Sequence, residues 1–316
     1  MPKKIIIDTD PGIDDAMAIL FALHSPEIEL MGLTTIFGNV YTDLATQNAL
    51  RLLEFAGRSQ IPVAHGAARP LQVAFDQPAT FVHGQNGLGE VALPAPTTKA
   101  DPRAGAQFIV DMIMANPGEI TLVPVGPLTN IALALALEPR IAVHVAEVVI
   151  MGGAATVNGN VNPAAEANIW HDPHAADRVF TTHWPITMIG LDVTEKTIMQ
   201  ADYLAGLRRS RTGRFIDDIA RFYLEFHQKA HGLYAAYTHD PSAIAYLVDP
   251  TLFTLQSGPI RVICEGIGAG QTLWDRSGRQ WGRQNAWSEQ RPVNVGVDVD
   301  SARLLDLYQA RILAAD

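Results

Sequence analysis

The residues best suited to chemistry in this chain are four aspartates that directly follow a run of isoleucines in the stretch IIIDTDPGIDD, residues 5–15. They are Asp8, Asp10, Asp14 and Asp15. Carboxylates folded into one crevice repel one another unless some are protonated or a cation lies among them. A helix amino terminus offsets only about 0.3–1 kcal/mol per exposed charge. We therefore expect a cation site here; the simpler alternative is that the aspartates only cap a helix and shape a turn.

The ligand atoms of this stretch predict a hard cation. Neither Cys nor His accompanies the aspartates, and oxygen-only sets favour Ca²⁺ or Mg²⁺ over zinc. Ca²⁺ accepts irregular sites that include backbone carbonyls, whereas Mg²⁺ prefers octahedral geometry and retains waters. The stretch is not an EF-hand, because the twelfth position counted from Asp8 is Ile19 rather than a bidentate glutamate.

A Mg²⁺-dependent phosphohydrolase is a second interpretation of the same stretch. Asp8-Thr9-Asp10 would supply a nucleophilic aspartate at a strand end, as in D-x-D phosphatases, with Lys196 and the pair Asp217-Asp218 downstream. It fits less well, because Gly12 stands where those enzymes usually carry Thr or a β-branched residue. The Asp217-Asp218 pair also lies within a charged helical stretch.

A long polar loop, residues 151–176, supplies a second set of candidate groups. Its Asn160, Glu166 and Asn168 offer donors and acceptors that suit sugar hydroxyls. Asn and Gly are also common turn formers, so the loop by itself leaves a purely structural role open.

Histidines form the third set of candidates. His239 precedes Asp240 just before a helix, which would place an acid next to a further oxygen ligand. His227 and His231 are four positions apart on a helix, and without Glu after the first His they favour base recognition or a surface role over zinc. His83 lies in a Gly-rich loop, residues 81–89, that is suited to closing over a pocket.

Alternating apolar runs and helical patterns must position these groups. Predicted strands cover residues 4–8, 28–38, 61–66, 120–126, 145–153, 185–193, 257–266 and 293–300. Predicted helices cover residues 14–25, 44–57, 104–118, 127–139 and 174–182. This alternation predicts a three-layer α/β fold with a mainly parallel, Rossmann-like sheet, in which functional groups lie beyond the carboxyl ends of strands. We expect one domain over residues 1–316, with a helical insertion at about 195–240.

Composition excludes several classes of partner. The net charge is −10 and no block of Lys or Arg occurs, so nucleic acid is not an expected partner. No run of about 20 apolar residues occurs, and the apolar run after MPKK is too short for a signal peptide, so no membrane association is expected. The single cysteine, Cys264, permits no internal disulfide. These features predict a cytoplasmic protein.

Five motifs together resemble the Ca²⁺-dependent nucleoside hydrolases of the inosine-uridine type. They are DTDPGIDDAMAI (8–19), GN (38–39), GPLTNIALAL (126–135), MGGA…GNVNPAAEANIWHDPHAA (151–176) and HDP (239–241). They occur in the family's order across nearly the whole chain. The resemblance implies the nucleoside hydrolase fold and hydrolysis of ribonucleosides to free base and ribose by a Ca²⁺-activated water.

The resemblance also implies roles for individual residues. Asp10, Asp15 and Asp240 resemble carboxylate ligands of Ca²⁺, the Val125 backbone carbonyl is a further ligand, and Asp10 is also the catalytic base. Ribose hydroxyls would be held by Asp14, Asn39, Asn160, Glu166 and Asn168. His239 would protonate the leaving base, while His83, His227 and His231 would lie near it. Asp8 would brace the turn behind the ligands.

The same resemblance leaves the base open, with pyrimidine nucleosides slightly favoured by the pair His83 and His239. Where pyrimidine-preferring relatives often carry Tyr and Gln, this chain has Tyr223, His227, His231 and Tyr234, and Asn86 replaces an Asp common in the loop. By analogy, the protein would be a homo-oligomer, a dimer or a tetramer. A non-catalytic Ca²⁺-dependent nucleoside-binding protein is the alternative outside enzymes.

Overall fold

The protein is described from a computed structural model that covers residues 1–75, 77–279, 281, 285–287 and 289–315. Its strands are β1 (Lys3–Thr9), β2 (Ile28–Thr35), β3 (Val63–His65), β4 (Ile120–Pro124), β5 (Glu147–Met151), β6 (Ile186–Ile189), β7 (Ile198–Gln200), β8 (Ala235–Tyr237), β9 (Phe253–Gly258), β10 (Ile260–Val262), β11 (Thr272–Trp274) and β12 (Val293–Val299). Its α-helices are α1 (Ile13–Leu23), α2 (Thr42–Phe55), α3 (Thr80–His83), α4 (Gly105–Ala115), α5 (Thr129–Leu137), α6 (Ile141–His144), α7 (Ala167–His171), α8 (Pro173–Phe180), α9 (Leu191–Thr194), α10 (Ala201–Gly206), α11 (Arg211–His231), α12 (His239–Val248) and α13 (Ser301–Leu313).

An eight-stranded sheet with the order β3-β2-β1-β4-β5-β6-β12-β9 forms the centre of the molecule. Its neighbouring strands are parallel, except that the edge strand β9 runs antiparallel to β12. The chain fills one side of β1 with β2 and β3 and then returns to build the other side from β4. Sheets of this kind bind ligands beyond the carboxyl ends of the strands, at the point where the strand order reverses. The predicted α/β class with a mainly parallel sheet is confirmed.

Helices cover both faces of this sheet, and β1 shows how the sequence directs them. Ile5 and Ile7 pack into the apolar cluster formed with α1, α2, α11, α12 and α13, whereas Ile6 packs into the cluster formed with α4, α5 and α8. All three side chains are fully buried. A strand that is covered on both faces needs apolar residues at every position, which explains the continuous isoleucine run.

The segment predicted as a helical insertion contains α10 and α11, but it also contains a small sheet. Strands β7 and β8 pair antiparallel and join the two ends of the segment. Ser210 accepts a hydrogen bond from the Gly213 N–H at the start of α11, and Gly232, with φ +70°, ends that helix. Among the helices that the structure describes, none combines the length and hydropathy that a bilayer span requires.

The strand predicted over residues 185–193 is wrong in its second half. Strand β6 ends at Ile189, and the next residues form the short helix α9. The Asp192 carboxylate accepts hydrogen bonds from the backbone N–H groups of Ala155 and Thr156. Bonds from a neighbouring loop therefore hold a segment that apolar patterning alone would extend as a strand.

Candidate active site

The Asp15 carboxylate organises the turn that follows β1. It accepts hydrogen bonds from the Thr9 hydroxyl, from the Asp10 N–H at 3.1 Å, from the Gly12 N–H at 3.0 Å and from Asn39 Nδ2 at 2.9 Å. Asp15 lies in the first turn of α1, where free N–H groups and the helix dipole favour a carboxylate. The turn therefore closes around this one side chain.

Asp10 lies beside this turn with one oxygen bound and the other unpartnered. Its Oδ2 accepts a hydrogen bond of 2.6 Å from the Asn39 backbone N–H, and its buried Oδ1 has no protein partner. A Cβ atom at Gly38, whose φ is +155°, would collide with Oδ2, and one at Gly126 would lie 2.5 Å from Oδ1. The backbones that follow β2 and β4 can thus approach Asp10 closely only as glycine.

Asp14, Asp15 and Asp240 form a group that could hold a metal ion, with one oxygen of each within 4.8 Å of the others. Burial raises the pKa of Asp14 to about 6. Burial, followed by the charges of Asp14, Asp15, Asp10 and Glu166, raises the pKa of Asp240 well above its usual range. Buried oxygens of Asp10, Asp14 and Asp240 lack hydrogen-bond partners. Unpaired buried carboxylates are costly, so this donor set fits a hard cation.

The grouping differs from the ligand set implied by the family resemblance, which contained Asp10 and assigned Asp14 to ribose. Asp10 is outside the group of three, although the charges of Asp15 and Asp14 add to burial in raising its pKa. The Val125 carbonyl lies at the end of β4, where the Val125 N–H donates to the Asp8 carbonyl at 2.8 Å. The reversal of strand order thus brings this carbonyl next to the end of β1.

Glu166 is buried and caps α7. Its carboxylate accepts hydrogen bonds from the backbone N–H groups of Asn168, Ile169 and Gly153, at 2.9, 3.2 and 2.8 Å. Burial raises its pKa, opposed by these donors, and the Asp14 charge adds to the rise. The cap therefore fixes Glu166 within electrostatic reach of the acidic turn.

The two predicted asparagines of the polar loop lie in different environments. Asn168 is buried, and its Nδ2 donates to the carbonyl oxygens of Val125 at 2.9 Å and Met151 at 3.1 Å, across the ends of β4 and β5. Asn160 is exposed, and its Oδ1 accepts from the Ala167 N–H at 3.0 Å. Asn168 thus lies at the strand ends, whereas Asn160 lies on the rim.

His83 reaches the acidic turn from α3. Its Nδ1 accepts a hydrogen bond of 3.1 Å from the Ile13 N–H and lies 3.8 Å from Asp14 Oδ1. Burial lowers its pKa to about 4, so the imidazole is neutral at pH 7 and carries its proton on Nε2. The ring stacks on Tyr223 of α11 with centroids 5.8 Å apart.

His239 and His227 are also buried close to His83, and His231 lies at the edge of this group. His239 shares a hydrogen bond of 2.9 Å between its Nδ1 and the Thr194 hydroxyl, and burial lowers its pKa to about 3. His227 is 4% exposed, yet neither of its ring nitrogens has a partner. Burial lowers its pKa to about 4, followed by the charges of His231 and His83. His231 lies at the exposed end of α11, with its ring centroid 5.5 Å from that of His227.

Asp8 lies behind the turn and shows what sequence reasoning missed. Its Oδ1 accepts hydrogen bonds from the Thr34 hydroxyl at 2.5 Å and from Asn130 Nδ2 at 2.7 Å. Asn130 Nδ2 also donates to the Thr35 carbonyl at 3.0 Å. Asp8 thus ties β1 to β2 and α5. The GPLTN motif contained Asn130, but nothing in its spacing indicated this partner.

The groups required by the phosphohydrolase interpretation are engaged elsewhere. Lys196 donates to Asp298 at 3.0 Å, and Arg208 donates to both Asp217 and Asp218 at 2.6 Å. Lys196 and the pair Asp217-Asp218 are therefore engaged away from a nucleophilic Asp8.

Known proteins resemble this chain over almost its full length. The family model described as inosine-uridine preferring nucleoside hydrolase matches residues 5–306. Uridine nucleosidase 1 of Arabidopsis thaliana is 44% identical over 313 residues, covering 98% of this chain and 93% of the relative. A solved plant nucleoside hydrolase, PpNRh1, superposes with a TM-score of 0.97 at 44% identity, covering 99% of this chain and 100% of the other.

A purine-preferring ribonucleoside hydrolase from Gardnerella vaginalis superposes with a TM-score of 0.92 at 37% identity, covering 99% of each chain. The similarity therefore includes the sheet, the acidic turn and the helices around them. On the family match and this whole-chain likeness, the chain belongs to the inosine-uridine preferring nucleoside hydrolase family.

Proposed function

We propose that the protein hydrolyses the N-glycosidic bond of ribonucleosides to free base and ribose. The observation that carries this proposal is the group of Asp14, Asp15 and Asp240, in which Asp14 and Asp240 each keep a buried oxygen without a partner, close to buried, neutral histidines. Carboxylates favour the positive charge that develops on the ribose, and histidines serve the leaving base. Family membership supports the same reaction.

Ca²⁺ is the proposed cofactor, with Asp10, Asp15, Asp240 and the Val125 carbonyl as its ligands. The closeness of Asp14 to Asp15 and Asp240 supports a position for Asp14 next to the ion as well. An irregular oxygen set that includes a main-chain carbonyl suits Ca²⁺ better than Mg²⁺. When bound, the cation lowers the pKa of water at the site and orients ribose hydroxyls.

The remaining roles belong to side chains of this chain. Asp10 is the proposed base, because its buried Oδ1 has no protein partner and is free to accept a proton from water. The ribose hydroxyls are assigned to Asp14, Asn39, Asn160, Glu166 and Asn168. Of these, Asn160 is exposed, and its Oδ1 accepts a hydrogen bond from the Ala167 N–H.

His239 is proposed to protonate the leaving base. Because burial lowers its pKa to about 3, this role requires that the negative charge developing on the leaving base raise that pKa during the reaction. The role predicts a dependence on the leaving group. His239→Ala should slow hydrolysis of uridine by about 10²- to 10⁴-fold. It should slow nitrophenyl riboside far less, because nitrophenolate leaves without a proton. The measurement is kcat/KM for both substrates in the wild type and the variant. Equal losses on the two substrates would contradict the acid role.

His227 is proposed to contact the base, since a buried ring with two unpartnered nitrogens fits a polar ligand. The centroid of the His227 ring lies 4.4 Å from that of Tyr223 and 5.0 Å from that of Tyr237. His227→Phe should keep this ring packing while removing both ring nitrogens. We expect KM for uridine to rise about tenfold, the equivalent of one hydrogen bond, while the melting temperature stays constant or rises. An unchanged KM in the folded variant would remove His227 from the base site.

Base preference, assembly and domain structure are further proposals. A slight preference for pyrimidines is supported by the pair His83 and His239 and by the likeness to a uridine nucleosidase, against the purine preference of the relative from G. vaginalis.

We propose a cytoplasmic homo-oligomer, a dimer or a tetramer, to be tested by light scattering. One domain over residues 1–316, with the helical insertion at about 195–240, is supported by the family match over residues 5–306.

The test is incubation with uridine, cytidine, inosine and adenosine in the presence of Ca²⁺, followed by measurement of reducing sugar. Release from uridine and cytidine above that from the purine nucleosides is expected. No release from any of the four would contradict the function. Tight binding without release would instead identify a nucleoside-binding protein.

A further inference from the structure

We propose that Asn48 is a positioning residue that orients both the Asp15 carboxylate and the His83 imidazole in this site. The inference rests on the proposed function, because those two side chains matter only if the crevice is the active site. Asn48 lies on α2 and is fully buried, and its side chain makes hydrogen bonds to two backbone carbonyls and to Arg51. Its effect must therefore pass through the backbone.

Asn48 joins the acidic turn to the Gly-rich loop. Its Nδ2 donates one hydrogen bond of 3.2 Å to the Pro11 carbonyl and another of 2.8 Å to the Asn86 carbonyl. An amide nitrogen has two hydrogens, and both are used here. No backbone hydrogen bond joins these two segments within the described ranges. A direct hydrogen bond between the two segments is the one from the Ile13 N–H to His83 Nδ1.

Each of the two carbonyls belongs to a rigid peptide plane, and the N–H of the same plane donates a hydrogen bond of its own. The Pro11 carbonyl and the Gly12 N–H share one plane, and that N–H donates to Asp15 Oδ2 at 3.0 Å. The hydrogen bond from Asn48 to the Pro11 carbonyl therefore also fixes the direction of the Gly12 N–H that binds the Asp15 carboxylate. The Asn86 carbonyl shares a plane with the Gly87 N–H, which closes the turn by donating to the Gly84 carbonyl at 3.2 Å.

The turn at residues 84–87 follows His83 directly, so its geometry sets where α3 ends and where the imidazole points. Gly87, with φ +76°, makes the approach possible, because a Cβ there would lie 2.9 Å from Asn48 Nδ2 and 2.9 Å from the Pro11 carbonyl. The Gly87 backbone, the Asn48 side chain and the Pro11 carbonyl therefore meet at a point where any residue other than glycine would collide. Arg51 donates to Asn48 Oδ1 at 3.0 Å and holds the amide in this orientation.

The test compares Asn48→Ala and Asn48→Asp with Leu53→Ala. Aspartate has the shape of asparagine but cannot donate to two carbonyls, whereas Leu53 is a buried residue of the same helix that contacts neither segment by hydrogen bond. Both Asn48 variants should lose about 10- to 100-fold in kcat for uridine, and Ca²⁺ affinity should fall as well. Leu53→Ala should lower the melting temperature but keep kcat at 25 °C. Hydrogen exchange should accelerate in residues 9–16 and 84–91 only for the Asn48 variants.

Two outcomes would overturn the proposal. One is a kcat for folded Asn48→Asp that equals that of Leu53→Ala; the other is unchanged exchange in both segments. If an Asn48 variant does not fold, Gly87→Ala disturbs the same contact from the loop and should produce the same loss. If the wild type releases no ribose, the proposed function fails, and hydrogen exchange with Ca²⁺ affinity then decides the role of Asn48 alone.

Discussion

Replacing Asp10 with asparagine should lower kcat for uridine by about 10²- to 10⁴-fold, the usual contribution of a general base. The variant keeps the size of the side chain, and its Oδ1 can still accept the 2.6 Å hydrogen bond from the Asn39 N–H. What it loses is the ability to take a proton at the buried oxygen that has no protein partner. Steady-state kinetics on uridine with saturating Ca²⁺ measures the effect.

The matched control is Asp8→Asn, two residues earlier on the same strand. Asp8 bonds to Thr34 and Asn130 behind the turn, so its loss should weaken the fold more than the chemistry. The metal-free Asp10→Asn protein should also be more stable than the metal-free wild type, because a buried, unpaired carboxylate has been removed. Wild-type turnover by Asp10→Asn would eliminate Asp10 as the base.

Removing Ca²⁺ should abolish hydrolysis and lower the melting temperature. Ca²⁺ at about 100 times its dissociation constant should add about 2.7 kcal/mol to stability, or roughly 5 °C for a chain of this size. The physical reason is that Asp14, Asp15 and Asp240 repel one another without a cation. Thermal denaturation and uridine hydrolysis, with chelator and after Ca²⁺ is restored, provide the measurements.

The stabilisation by Ca²⁺ should also depend on pH in a defined direction. In the metal-free fold the pKa of Asp14 is about 6, raised from 3.8 by burial. The metal-free protein is therefore free of this penalty below about pH 4 and loses stability as the pH rises through 6. The rise in melting temperature caused by Ca²⁺ should thus be larger at about pH 7.5 than at about pH 5.

Comparing the rise at each pH with the metal-free protein at the same pH cancels the opposite contribution of the buried histidines. Because these histidines have lowered pKa values in the fold, they make the protein less stable as the pH falls. A rise that is equal at both pH values, or activity that survives complete chelation, would contradict the cation site. Full recovery with Mg²⁺ but not with Ca²⁺ would correct the identity of the metal.

The sequence predicted the parts of the site that depend on local pattern and strand order. Three isoleucines indicated a strand buried on both faces, Pro11-Gly12 a turn, and Asp14-Asp15 a helix start, and each is present in the structure. The end of β4 meets the acidic turn because parallel strands place their carboxyl ends at one edge. Chain order alone therefore brought Val125 and Asp8 together.

The remainder depended on three-dimensional contacts that no local pattern encodes. Asn48 lies on the apolar face of its helix, three residues after Ala45 and four before Leu52, so the periodicity predicts burial but not the two carbonyls to which it donates. The closeness of Asp14 to Asp240 depends on how α1 and α12 pack together. The antiparallel pair of β7 and β8 rests on three-residue strands that are too short for a pattern to reveal.

Hydrolysis of uridine with Ca²⁺ in water enriched in the heavy oxygen isotope tests the central proposal most directly. Mass spectrometry of the products should show one heavy oxygen in the released ribose, none in the uracil, and no product at all after chelation. Unlabelled ribose, a phosphorylated sugar, or uridine that is bound but recovered intact would contradict the proposal that this crevice directs water to the N-glycosidic bond.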